Sequence, residues 1–137
     1  MRRNILTYKA PPNNEGYDLI CIHPNPRKVT RQIRIQVKSR YATDCNRGFL
    51  VSERTFGAFD FLVAVFLNIG NFYRKGEPEI RKAPEFYTLP VEFITQHHNK
   101  SSSWEKLMLR GLDIEAYRDE RGFELIATAL EIPCPSR

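Results

Sequence analysis

Cysteine is scarce in this 137-residue chain, and what there is does not pair. Cys21, Cys45 and Cys134 are odd in number and lack close spacing, which excludes a disulfide framework and a structural zinc site and points to a reducing compartment. Long apolar runs are missing as well. The most apolar stretch, residues 59–69, contains Asp60 and falls short of the roughly 20 residues that cross a bilayer. No apolar run follows Met1-Arg2-Arg3, so no signal peptide is read. There is no internal repeat and no low-complexity tract. These absences predict one soluble, cytoplasmic domain over residues 1–137 with no membrane partner. Acidic residues are also thin in the first 58 positions, which hold 11 Lys/Arg against 4 Asp/Glu, a balance of +7. The remainder holds 10 against 12, a balance of −2. A basic excess confined to one region is what a polyanion-binding surface requires, and it is also what an ordinary solvated surface can show.

What is present is an alternating hairpin. Residues 17–23 and 31–40 read as two strands joined by the turn-rich 24–30. Ile33, Ile35 and Val37 point one way, and Gln32, Arg34, Gln36, Lys38 and Arg40 the other, the period of two that marks a strand with one buried face. Closing the loop with His23 across from Arg31 sets Cys21 across from Ile33, Leu19 across from Ile35 and Tyr17 across from Val37. The apolar faces then coincide, so the register is consistent. The same register sets Asp18 across from Gln36, with Lys38 one step along. Directly opposed Cβ atoms lie roughly 5 Å apart and next neighbours about 7 Å.

The rest of the chain supplies a scaffold. Ile5, Leu6 and Tyr8 predict a short strand or an edge cover before Pro11-Pro12, and Gly48–Val51 another short strand. Residues 59–69 read as a strand buried on both faces with helices over it. Residues 70–84 predict a loop with a hairpin tip at Lys75-Gly76, and 85–89 a short strand. Pro90 suits the first position of a short helix ending near His97-His98, which diverge too far to chelate together. Cys21-Ile22-His23 reads as a buried small hydrophobe beside a strand-end histidine. Trp104, Leu107 and Met108 fit a helix or a strand, and Gly111 ends that element. Asp113 is a candidate cap for an apolar helical stripe through Ile114, Tyr117, Phe123, Ile126, Ala127 and Leu130, interrupted near Gly122. The class expected is α/β (mixed α+β), a central mixed sheet flanked by helices.

Phosphodiester hydrolysis uses a divalent cation to neutralise non-bridging oxygens and to lower the pKa of an attacking water. Magnesium prefers oxygen ligands and few protein groups. Asp18 offers a carboxylate, Gln36 an amide oxygen and Val37 a backbone carbonyl, with the Lys38 ammonium beside them to stabilise developing charge. Arg34 and Arg40 on the same face, and Arg27 and Lys28 in the turn, are candidates for phosphate contacts. A polar strand face bearing Gln and Lys is also ordinary in proteins that catalyse nothing.

Tyr17-Asp18-Leu19-Ile20, followed by Ile33-Arg34-Ile35-Gln36-Val37-Lys38-Ser39-Arg40, resembles the core of the PD-(D/E)xK nuclease superfamily, the restriction-endonuclease-like and Holliday-junction-resolvase-like proteins, in its Gln-x-Lys variant. The likeness extends to 59–63 and 86–90. It implies a central mixed sheet flanked by helices, Mg²⁺ (with Mn²⁺ as a substitute), DNA as substrate and work in pairs. By position it implies Asp18 and Gln36 as metal ligands and Lys38 as the catalytic lysine. Many members carry an N-terminal helix with an acidic residue ahead of the aspartate strand. Here 16 residues precede Tyr17, two of them prolines, and Glu15 reads as a loop residue. One certain carboxylate is then expected at the site. The alternative is a catalytically inactive nucleic-acid-binding or subunit domain of the same fold.

Overall fold

The structure is a computed structural model that describes residues 5–12, 16–28, 31–41, 48–70, 82–99, 106–109 and 112–132. Five strands make the main sheet: β1 (Leu6–Lys9), β2 (Leu19–Ile22), β3 (Ile33–Arg40), β5 (Phe61–Phe66) and β6 (Glu85–Pro90), in the order β1-β2-β3-β5-β6. The pairs are antiparallel except β3 with β5, which is parallel. Three short strands, β4 (Gly48–Leu50), β7 (His98–Asn99) and β8 (Lys106–Met108), form a second, antiparallel sheet in the order β4-β8-β7. The helices are α1 (Val91–His97) and α2 (Asp119–Ala129). The fold is therefore mixed α+β, with a mixed sheet as its centre.

Alternation along the strands divides the core in two. On one face Leu62 and Ala64 of β5 and Tyr87 and Leu89 of β6 are buried against Phe49, Leu107, Phe93 and Ile94 of the small sheet and α1. On the other face Cys21, Ile33 and Ile35 pack against Ile126 and Leu130 on and just after α2. Burying a large apolar side chain stabilises by about 1.5–3 kcal/mol, so β5, covered on both sides, anchors the sheet. The expectation of helices over β5 holds on both faces, α2 covering one and α1 part of the other. The second sheet shares that second face with α1, which the apolar pattern of 48–51 and 107–109 does not reveal alone.

Several expected elements are adjusted by their neighbours. The segment containing Leu107 and Met108 is a strand, because its backbone pairs with β4 and β7. Pro90 is the extended N-cap of α1 (φ −61°, ψ 150°) rather than its first helical residue, since it also closes the ladder with Phe61. The apolar stripe after Ile114 breaks at Arg118, not at Gly122. A 3₁₀ turn over Glu115–Tyr117 ends at Arg118, and α2 then runs through Gly122 without interruption. The Asp113 carboxylate accepts the Glu115 N–H at 3.3 Å, so it supports that turn and not α2. Residues 42–47, the tip at Lys75-Gly76, Trp104, Gly111 and the C-terminal prolines lie outside the described residues, as do Glu15, Cys45 and Cys134.

Gly122 serves close packing. A Cβ there would collide with the Tyr117 carbonyl oxygen and reach 2.8 Å from Thr88 Oγ1, whose residue is fully buried on β6. The bare glycine lets α2 lie against β6. Gly122→Ala is expected to destabilise by about 1–3 kcal/mol, the usual cost of overpacking. A lowered urea midpoint with an unchanged slope would show it.

Candidate functional site

The expected hairpin register is present: Leu19 pairs with Ile35, Ile20 with Arg34 and Cys21 with Ile33. It stops one residue short of Asp18. The Asp18 N–H donates to the Ile35 carbonyl at 2.7 Å, so Asp18 and Leu19 share one partner, as in a β-bulge. Asp18 is thus not paired with Gln36. A slip of one residue reverses the side to which residues point, and Tyr17 accordingly packs with the core cluster of β5, β6 and the small sheet instead of lying over Val37. Gly16, with φ +97° and Ala58 where its Cβ would stand, turns the chain into this bulge.

The bulge aims the carboxylate at β3. Asp18 Oδ2 accepts the Val37 N–H at 2.7 Å, taking the place of a strand partner. Within a strand the N–H and C=O of one residue point to the same side, so the Val37 carbonyl also faces the Asp18 side. Gln36 is half-buried, and its Oε1 is inaccessible to solvent with no hydrogen-bond partner among the described residues. Lys38, also half-buried, has no ion-pair or hydrogen-bond partner among the described residues. The Asp18 carboxylate therefore meets β3 at Val37, the residue between Gln36 and Lys38 in sequence, and the slip that turns Tyr17 over removes the shared face that the expected register gave Asp18 and Gln36. Of the oxygens that a hard cation would use, one carboxylate oxygen of Asp18 is already committed to a backbone N–H, and Gln36 Oε1 is an acceptor with nothing to accept. The chemistry of these donors suits a small, hard cation held through few protein ligands. No cluster of three or more His, Cys, Asp or Glu occurs among the described residues.

The arginines fare differently. Asp60, just before β5, accepts the Arg34 backbone N–H at 2.8 Å and lies 3.5 Å from its Nε. Arg40 donates through Nε (3.0 Å) and Nη2 (2.6 Å) to the Gly48 carbonyl, with its guanidinium 5.7 Å from the centre of the Phe49 ring. The two phosphate ligands expected on β3 thus hold structure together. Arg27 and Lys28, on a 3₁₀ turn at Pro26–Lys28, are exposed. Asp60 was not among the expected site residues, although a lone charge opening an otherwise apolar run is a signal worth reading. His97 packs against the Phe93 ring at a tilt and His98 meets the Phe56 ring edge-to-face, so the two histidines diverge as expected.

On the opposite face of the sheet, a cavity of about 320 Å³ is lined almost wholly by apolar side chains, among them Leu19, Val37, Val63, Phe86 and Phe123, with Thr7 at its margin. Cys21 lines it too. Burial pushes its thiol up from the ordinary value, against a smaller opposing effect of the Thr7 hydroxyl 3.5 Å away. This cavity is not where the polar residues meet.

The chain matches no protein-family model, no curated protein and no solved structure. Among the described residues no helix is long and apolar enough to cross a membrane.

An acceptor left without a partner costs about 1–3 kcal/mol. Gln36→Met, which keeps the volume and removes the orphaned oxygen, is expected to raise the urea midpoint in metal-free buffer by about 1 kcal/mol equivalent. Wild-type protein is expected to close that gap when millimolar Mg²⁺ or Mn²⁺ is added.

Proposed function

We propose that this protein is a metal-dependent DNA endonuclease that hydrolyses phosphodiester bonds at the end of the β2–β3 pair, with Mg²⁺ as cofactor and Mn²⁺ as a substitute. The observation that carries the reading is the conjunction at Val37. The Asp18 carboxylate sits on its N–H, with the orphaned Gln36 Oε1 on one side in sequence and the unpaired Lys38 on the other. This is the Asp, Gln-x-Lys set whose likeness to PD-(D/E)xK nucleases appears in the sequence.

Asp18, Gln36 and the Val37 carbonyl are the groups that would hold the cation. When bound, it would neutralise the non-bridging phosphate oxygens and ease ionisation of an attacking water. Lys38 supplies a positive charge and N–H donors to the phosphate as negative charge grows. Asp18, whose second oxygen is not spent on Val37, accepts a hydrogen bond from the water and orients it. Arg27 and Lys28 hold a flanking phosphate. Arg34, neutralised by Asp60, contributes less than its position suggests.

A second reading, a nucleic-acid-binding domain without turnover, is favoured by the single carboxylate at the site among the described residues. One assay separates the two. Wild-type protein is expected to nick supercoiled plasmid in Mg²⁺ or Mn²⁺ but not in EDTA, and Lys38→Ala to lower the rate by about 10²–10³-fold. Undiminished nicking by Lys38→Ala would exclude this site, and DNA binding without nicking in either metal would favour the second reading. In both cases Arg27→Glu with Lys28→Glu is expected to weaken binding and to reduce the salt slope by about 1 per lost phosphate contact. Arg40→Ala is expected to act chiefly by lowering stability.

A further inference from the structure

The two edges of the main sheet are finished differently. At β6 the edge is closed. Tyr87 forms an isolated antiparallel bridge with Arg118, and the Phe86 N–H is taken by the Asp119 carboxylate at 3.0 Å. At β1 no described strand pairs with the outer side, and all four of its residues are exposed. Leu6 and Tyr8 are 41% and 54% exposed, continuing the half-buried Ile22 and Ile20 that they face across the ladder. On the other face Ile5 and Thr7 form the margin of the apolar cavity. An edge of this kind is a template for another strand.

Its hydrogen-bonding phase decides which strand fits. The Ala10 N–H donates inward to the Asp18 carbonyl. Alternation then turns Leu6 and Tyr8 inward as well, leaving the N–H and C=O of Ile5, Thr7 and Lys9 directed outward. We infer that β1 pairs antiparallel with β1 of a second copy of this chain about a two-fold axis at Thr7, joining the two main sheets into one of ten strands. In this register Thr7 exchanges both bonds with Thr7 of the second copy, and Ile5 with Lys9 on each side. All three outward residues pair with one another. Leu6 falls opposite Tyr8 of the other copy in the closer, non-hydrogen-bonded positions, where an aromatic–aliphatic pair is favourable. No like charges face each other. Sliding the copies apart by one pair of residues brings Ile5 opposite Pro11, which has no N–H to give.

The strand pair is short, below the area of a stable interface, so the dimer is weak and concentration-dependent. A two-fold axis perpendicular to the sheet keeps like faces together. Both Asp18 ends therefore open on the same side, their β3 strands five strand spacings of about 4.8 Å apart, roughly 24 Å. The inference does not depend on the nuclease reading.

Sedimentation velocity from micromolar to near-millimolar concentration is expected to show monomer converting to dimer. Thr7→Pro removes an outward N–H while leaving the bonds to β2, and is expected to raise the dissociation constant at least tenfold; circular dichroism matching the wild type excludes unfolding as the cause. Cysteine cross-linking reads the register. Thr7→Cys is expected to form an intermolecular disulfide above the wild-type background under mild oxidation. Lys9→Cys is not, because those positions lie four residues apart along the pair, about 14 Å. A monomer at every concentration, or equal cross-linking at positions 7 and 9, would overturn the inference.

Discussion

Two parallel strands cannot be joined by a tight turn, and the parallel pairing of β3 with β5 governs much of this molecule. The chain must leave the end of β3, cross a face of the sheet and return to the start of β5. On the way it lays down β4 and the 3₁₀ turn at Glu53–Thr55, which with β8 and α1 roof β5 and β6. The roof does not extend over β1, whose residues are all exposed. β3 is therefore the boundary between the covered half of the sheet and the open half.

A boundary strand has unusual electrostatics. Its polar side chains are neither fully hydrated nor packed among apolar ones, and each finds a different solution. Arg40, nearest the crossover, is held by Gly48 and Phe49. Arg34, at the other end, is held by Asp60, which the return of the chain delivers. Between them Gln36 and Lys38 have no partner of this kind among the described residues. Buried acceptors are normally satisfied, so the orphaned Gln36 oxygen is the anomaly on this face, and its residue adjoins Val37, whose N–H holds the carboxylate that the Asp18 bulge brings in. Bulges commonly re-aim side chains next to sites. The proposed function rests on this coincidence.

The main sheet has a second asymmetry, between its edges. The approach to α2 seals β6, while β1 is too short and too near two prolines to carry more than a four-residue ladder. The same alternation that turns Leu6 and Tyr8 toward β2 leaves three residues with outward backbone groups, and that number and phase make the edge self-complementary.

Strand alternation is a local property, written into consecutive residues. The β2–β3 register, the polar face of β3 and the apolar character of β5 are thus legible in the amino-acid sequence, and with them the neighbourhood of Asp18, Gln36 and Lys38. The freedom of each polar group is not legible there, because it depends on residues far away along the chain. Asp60 neutralises Arg34 from 26 positions on, Gly48 engages Arg40 from across the crossover, and Gly122 reads as a break although Thr88 beneath it is the reason for it. The bulge at Asp18 belongs with these, since one hydrogen bond to Ile35 instead of Gln36 is invisible to a pattern of period two. Side-chain periodicity is therefore enough to say how β2 meets β3 and which face of β3 is polar. Which charges are spent, which oxygen is stranded and which edge stays open follow only from the folded arrangement, because each depends on what distant parts of the chain bring alongside.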